Sequence, residues 1–364
     1  MPKTVFQGSW SHRCRSAATL CITTMNILAR RAIAKPLVPG WTIPFEIATL
    51  FYRKQFNHAF SLPSMVEGRA YFDSLYTIAE PTLPVRIQAS TAQEPRGHWF
   101  IPEVSSGSKT MLYFHGGGYA FYPTVSRHFI ALLAHKLQIR IFAPDYRLTP
   151  EHAHPAQQED ALAAYGYLLE RGAPPTEIVL AGDSAGGHLV LMTLVSLRQA
   201  GLPQPALALA LSPWTDIGRR GASQFGHDRY DMVQGYQTLQ YGQWLKGSGE
   251  WSDTQLSPIA QDLRKLAPIY IQAGGKEILV DMIRDFARQA KNQGAPVRLD
   301  VWPDMTHEFH AHGSTLQQSE QALTALLAAI QWTEGRVFDS IKETELSGLD
   351  SVFNKAQPEI IKPE

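Results

Sequence analysis

The sequence predicts an α/β protein with a mostly parallel central sheet flanked by helices and covered by a helical cap. Three observations carry that expectation. Short β-branched and aromatic runs alternate with longer helical patterns, as in a sheet built with crossover helices. Several of those runs are continuously apolar, which fits strands covered by helices on both faces. Two segments break the alternation, one before the first strand and one in the second half, and both read as additions to the sheet.

In chain order, the expected strands are His98–Ile101, Thr110–Phe114, Arg140–Pro144, Glu177–Ala181, Ala206–Leu211, Ile269–Ala273 and Arg298–Trp302. The helices between and after them are His128–Lys136, Gln158–Arg171, Gly186–Ala200, Asp281–Asn292 and Leu316–Thr333. Residues 1–65 are read as an N-terminal helical cap segment, and 66–335 as the α/β domain that carries the sheet. Residues 214–262 form a second cap segment, rich in rings (Trp214, Phe225, Tyr230, Tyr236, Tyr241, Trp244, Trp251). Together the two segments are expected to lie over the carboxyl edge of the sheet, where open α/β folds bind ligands. Residues 336–364 are polar and expected to form a loosely held tail.

Composition narrows the function classes. The 364 residues include 33 basic and 33 acidic side chains, a net charge of zero, against the basic excess of a nucleic-acid binder. Length alone suggests roughly two domains at about 150 residues each. Two cysteines, Cys14 and Cys21, supply neither a disulfide scaffold nor a four-ligand zinc site. Between Arg15 and Arg30 run fourteen uncharged residues, short of the roughly 20 apolar ones a spanning helix needs. With no small-residue cleavage site in view, the stretch reads as an amphipathic helix lying on the protein, and the location as cytoplasmic. The 27 glycines and 8 tryptophans call for tight turns and an aromatic-rich surface or pocket.

Two glycine motifs supply the chemistry. Gly182-Asp183-Ser184-Ala185-Gly186 follows one expected strand and opens a helix. A serine in so sharp a turn sits in a strained backbone with its hydroxyl exposed, beside the free N–H groups of a helix start. His115-Gly116-Gly117-Gly118-Tyr119 follows another strand, with His115 lying 69 residues before Ser184. Consecutive glycines can aim consecutive N–H groups at one point, as a tetrahedral oxyanion requires. Gly117, Gly118 and Ala185 are therefore expected to form the oxyanion hole, and His115 to hold the loop rather than act as a base. Tyr119, Tyr122, Phe121 and Trp214 flank these loops and are the candidates for an apolar substrate pocket.

These motifs resemble the hormone-sensitive-lipase-like branch of the α/β-hydrolase superfamily, carboxylesterases that pair an HGGG loop with GDSAGG. Asp145-Tyr146-Arg147-Leu148-Thr149-Pro150-Glu151-His152 and Ser212-Pro213-Trp214-Thr215-Asp216 are similar to two further segments of that branch. The resemblance runs from about residue 111 to 310, and implies the α/β-hydrolase fold and the chain order serine, acid, histidine. It makes Ser184 the nucleophile and His307, past the last apolar strand, the base. It also puts the acid in the stretch from Ala273 to Asp281. Glu277, 30 residues before His307, is favoured; Asp281 is the alternative, although it suits the start of the next helix. Arg147 is expected to pair with Asp145 or Glu151 in a buried network behind the site.

The implied activity is a serine hydrolase that cleaves carboxylic esters of small or medium, apolar substrates, with no cofactor and no metal. His307, His310 and His312 do not have the H-E-x-x-H spacing of a zinc helix. An acyl transferase, lactonase or thioester-releasing enzyme would carry the same triad. Gibberellin receptors, which resemble this branch, lack the catalytic histidine that His307 supplies here. Expected partners are a small-molecule ester and, as an open alternative, a second copy of the chain. Nucleic acid and stable membrane insertion are not expected.

Overall fold

The computed structural model describes residues 8–33, 36–75, 83–105, 107–121 and 126–333, with positions 3, 4, 6, 77, 78 and 124. The expected tail, 336–364, lies outside the described residues. Eight strands form the main sheet: β1 (Val85–Ala89), β2 (Gly97–Pro102), β3 (Thr110–Phe114), β4 (Arg140–Pro144), β5 (Ile178–Asp183), β6 (Leu207–Leu211), β7 (Ile269–Gly274) and β8 (Val297–Trp302). Their spatial order is β8-β7-β6-β5-β3-β4-β2-β1. From β4 to β8 all neighbours are parallel, while β1 and β2 continue the sheet antiparallel at one edge.

Why these segments are strands follows from their two-sided burial. Every residue of β3, β5, β6 and β7 is buried. Alternate side chains enter different cores, as the period of two demands. Leu112, Phe114 and Leu180 pack on one face with α5 (Ala156–Glu170), α6 (Ala185–Gln199) and α8 (Val280–Asn292). Met111, Tyr113 and Val179 pack on the other with α4 (Arg127–Leu137) and α9 (Gln317–Trp332). Strand β1, absent from the expected set, is an exposed edge strand with Val85 only half-buried and residues 86–89 exposed. Nothing in its own pattern marks a core, so only its pairing with β2 makes it a strand.

Three helices precede the main sheet: α1 (Trp10–Ile33), α2 (Ile43–Ser61) and α3 (Met65–Asp73). Thr42 caps α2, with Pro44 in its first turn, and Ser64 caps α3 by accepting the Glu67 N–H. The helical run thus extends to Asp73, past residue 65. In the second additional segment the longest helix is α7 (Gly235–Lys246).

Arg147 departs from its expected role. It faces outward, 41% exposed, and pairs with Asp160 and Glu159 of α5. Glu151 is instead held by Arg69 of α3, whose side chain is only 4% exposed and makes a two-pronged contact at 2.7 and 2.6 Å. Arg69 also donates to the carbonyls of Ala120 and Thr149. One buried guanidinium therefore ties the N-terminal helices to the loop that follows the three glycines. Its proximity to Glu151 holds that carboxyl below the ordinary range, chiefly through the hydrogen bonds it donates. Replacing Arg69 orphans buried carbonyls, so Arg69→Met is expected to cost about 2–4 kcal/mol in urea unfolding. A loss under about 0.5 kcal/mol, the scatter of surface changes, would show the clamp to be dispensable.

Candidate active site

The strand order reverses at β3 and β5: β4 lies on one side of β3 and β5 on the other. Loops leaving the carboxyl ends of these two neighbours diverge around a crevice, the usual ligand site of an open α/β sheet. The loop after β3 is His115–Tyr119, and the turn after β5 is Ser184.

Ser184 has φ 52° and ψ −116°, a strained conformation for a residue with a side chain, at the junction of β5 and α6. The strain is held by hydrogen bonds on both sides: Ser184 N–H donates to Leu211 O at 2.9 Å, and Trp214 N–H donates to Ser184 O at 3.1 Å. Close packing accounts for Gly186, where a Cβ would overlap the carbonyl of Phe114. Ala185 is the first residue of α6, so its N–H has no partner within the helix.

In the glycine loop, Gly117 and Gly118 have φ 96° and 62°, and a Cβ on Gly118 would strike the ring of Tyr241. His115 is buried, its Nδ1 donates to Gly116 O at 2.8 Å, and its ring stacks on Tyr146 at 4.3 Å. Burial lowers its pKa, so the ring is neutral and braces the loop.

Glu277 stands in the turn between β7 and α8, and His307 in the loop after β8; both are buried. The two loops are stitched by Gly275 N–H to Trp302 O at 2.7 Å and Lys276 N–H to Met305 O at 2.8 Å. His307 Nδ1 lies 3.5 Å from Glu277 Oε2. Asp281 is turned elsewhere: it accepts from Ser223 N–H at 2.9 Å and faces Arg284.

Two carboxyl groups that motif reading did not single out surround the histidine. Asp231, from the 214–262 segment, is fully buried. It accepts His307 N–H at 3.1 Å and Met232 N–H at 2.8 Å on one oxygen, and Ile278 N–H at 2.7 Å on the other. Burial raises its pKa to about 6, against the pull of His307. Glu308, in a left-handed conformation at φ 54°, places Oε1 3.6 Å from His307 Nε2. It also shares a hydrogen bond with Asp183, and burial together with that neighbour raises its pKa well above the ordinary value. Asp183 in turn accepts from Tyr113 Oη. The one sign of Glu308 in the sequence is a charged residue beside the candidate histidine; Asp231 carries no local sign at all.

His307 sits at the centre of this charge. Burial works against its protonation, but the Glu277 carboxyl 3.5 Å from Nδ1 and the charges of Glu308 and Asp231 outweigh it and hold the imidazole up to about 9.

Ser184, His307, Glu308 and Gly116–Gly118 line one cavity of about 60 Å³. Its apolar wall comes from Phe121, Trp214, Val233, Tyr241 and Leu279, with Phe56 of α2 and Phe72 of α3. Tyr119, expected in this wall, is instead buried behind it. Its hydroxyl pairs with His188 Nδ1 at 2.7 Å, and its φ is 62°. Tyr122 lies outside the described residues. His310 packs on Phe309 and His312 on Phe45. Among the described residues, no cluster of three or more histidine, cysteine or acidic side chains could hold a metal.

Residues 111–311 match a family model described as the alpha/beta hydrolase fold. The chain is 36% identical over 240 residues to an acetyl-hydrolase of Streptomyces hygroscopicus, spanning 65% of this chain and 80% of that one. It is 28% identical over 267 residues to an ethyl acetate hydrolase of Pseudomonas putida, spanning 71% and 81%. Among solved structures, an esterase from the bacterial hormone-sensitive lipase family superposes with a TM-score of 0.72 at 29% identity, covering 78% of this chain and 96% of that one. With the family model covering more than half its length, and with HGGG preceding GDSAGG, the chain belongs to the α/β-hydrolase fold family, in its hormone-sensitive-lipase-like branch.

Proposed function

We propose that the protein is a serine esterase that cleaves short-chain carboxylic esters through an acyl-enzyme. The observation that carries this reading is the meeting, in one small cavity, of Ser184 on its strained turn, the glycine loop, and a histidine backed by Glu277. In the proposed reaction His307 Nε2 takes the Ser184 proton as Oγ attacks the ester carbonyl, and Glu277 steadies the imidazolium at Nδ1. The N–H groups of Gly117, Gly118 and Ala185 receive the developing oxyanion. His307 returns the proton to the leaving alcohol, the C–O bond breaks, and the acyl group stays on Ser184. Water then enters, loses a proton to His307 and releases the acid, restoring Ser184.

Short acyl groups suit the enclosure. The cavity, about 60 Å³, is small and its wall is largely apolar. The relatives' names, an acetyl-hydrolase and an ethyl acetate hydrolase, point the same way. In this reading the helices before the sheet and the 214–262 segment act as a two-part cap. Phe56 and Phe72 come from the first, and Val233, Thr238 and Tyr241 from the second.

Turnover of p-nitrophenyl acetate is expected to exceed that of the octanoate, and Ser184→Ala is expected to reduce both to near background. Glu277→Gln should lower kcat by orders of magnitude, while Asp281→Asn keeps most of the activity. Undiminished turnover in Ser184→Ala would defeat the proposal, and the reverse pattern at the carboxylates would move the acid to Asp281.

Asp231 holds the acid loop and the histidine loop in one register. In Asp231→Asn the amide presents N–H toward backbone N–H donors, so kcat should fall about a hundredfold with KM little changed. Circular dichroism and the melting temperature separate this effect from unfolding, and unchanged kcat would remove Asp231 from the positioning of the triad.

The raised pKa of His307 sets a pH dependence. The base must be neutral, so kcat/KM should rise about tenfold per pH unit and level off near pH 9, above the ordinary imidazole range. Glu308→Gln removes one of the groups that hold the proton on His307 and should move that limb to lower pH. A limb that stays in place would show that Glu308 does not influence the base.

A further inference from the structure

Helix α1 has a face that neither the fold nor the proposed chemistry uses. Its buried side, Ser16, Thr23 and Ile27, lies toward the rest of the protein, and α2 is its main neighbour. On the opposite side Cys14, Ala18, Cys21, Met25, Leu28 and Ala32 follow one another at alternating steps of four and three. At 3.6 residues per turn that spacing is a single stripe, and every member is exposed. Trp10, Ile22 and Ile33 border it, 78%, 53% and 90% exposed, and Met25 within it is 68% exposed. The stripe is roughly 30 Å long at 1.5 Å per residue. Scattered surface apolar residues are ordinary, but a continuous apolar stripe marks a surface that is covered in use.

The charges on α1 select what covers it. From Trp10 to Ile33 there is no acidic residue, while Arg13 and Arg15 stand near one end and Arg30 and Arg31 near the other. At the far end Arg30 and Arg31 turn inward onto the buried Glu46 of α2, so the outward-facing charge is that of Arg13 and Arg15. A second copy laid parallel along the stripe would bring Arg13 and Arg15 against their equals. An anionic lipid surface meets both requirements, with phosphates for the arginines and the headgroup–acyl boundary for the apolar stripe. No described helix is long and apolar enough to cross a membrane, so the contact would be one along the plane of the surface.

We infer that α1 docks the protein lengthwise on anionic phospholipid surfaces, through its Cys14-to-Ala32 stripe with Arg13 and Arg15 beside it. Docked in this way, α1 stands between the lipid and α2, whose Phe56 lines the cavity.

The two cysteines, the only ones in the chain, both lie in the stripe and are free and exposed, so they are built-in reporter sites. The full-length protein carrying an environment-sensitive fluorophore on them would be mixed with phosphatidylcholine vesicles, with or without phosphatidylglycerol. Unlabelled protein would be sedimented with the same vesicles, both at about 0.1 M salt, where the Debye length is about 10 Å. The expected result is a blue shift and co-sedimentation with the anionic vesicles, at least tenfold weaker with phosphatidylcholine alone. Arg13→Glu with Arg15→Glu should weaken binding at least tenfold, since each basic residue near the surface contributes about 1 kcal/mol. Met25→Asp should weaken it comparably, and both variants should keep ester turnover in the absence of vesicles. Equal affinity for the two vesicle types, or no binding to either, would overturn the inference. So would a dimer in sedimentation equilibrium that Met25→Asp abolishes, or vesicle binding that appears only after removal of residues 334–364. The first would assign the stripe to a second copy, and the second to the chain's own C-terminal segment.

Discussion

The site depends on one packing constraint, the contact between the ends of β3 and β5. Phe114 is in register with Gly182 across the parallel pair, so the glycine loop and the serine turn leave the sheet side by side. The backbone of Gly186 then passes so close to Phe114 that no side chain fits between them. That contact keeps α6 starting directly under the crevice, which points its first N–H groups and the positive end of its dipole at the place where an oxyanion would form. Ser184 accepts its strained backbone because β6 and the turn after it hydrogen-bond to it from both sides. The strain is local, and the rigidity that supports it comes from four strands buried at every position.

Around this frame the protein gathers an unusual amount of acid next to a single imidazole. Glu277, Asp231, Glu308 and Asp183 come from four separate stretches of chain and share a largely buried space with His307. Buried carboxylates repel one another, and the structure relieves this in different ways. Asp231 accepts three backbone N–H bonds, Glu308 gives up its proton less readily than a free carboxyl, and His307 is pushed toward its charged form. The result ties the loops after β7 and β8 to the 214–262 segment through Asp231. That segment therefore does more than line the cavity: through Asp231 it also accepts the backbone N–H of the histidine.

Much of the architecture was legible from periodicity. The inner strands are continuously apolar because both of their faces are covered, and that signal survives without knowing what covers them. Strand β1 was missed for the complementary reason: it lies at an exposed edge, and its existence depends on pairing with β2. Arg147 and Tyr119 show where local reading fails. Each adjoins a recognisable motif, but the direction of its side chain depends on partners far along the chain. Arg147 finds Asp160 on α5, leaving Glu151 to Arg69, while Tyr119 turns to His188 of α6.

By itself the sequence determined the fold class, the order of the inner strands along the chain, and the two glycine motifs that flank the crevice. These rest on short-range rules: the period of two, the period of 3.6, and the backbone freedom of glycine. Only the tertiary structure decided which carboxyl stands beside Nδ1 of His307, that Asp231 and Glu308 join it, and that Tyr119 leaves the cavity. A carboxylate's role is set by distance and desolvation, and both are fixed by contacts between residues dozens of positions apart. Glu277 and Asp281 are only four residues apart, yet the turn into α8 buries one against the imidazole and directs the other to Ser223.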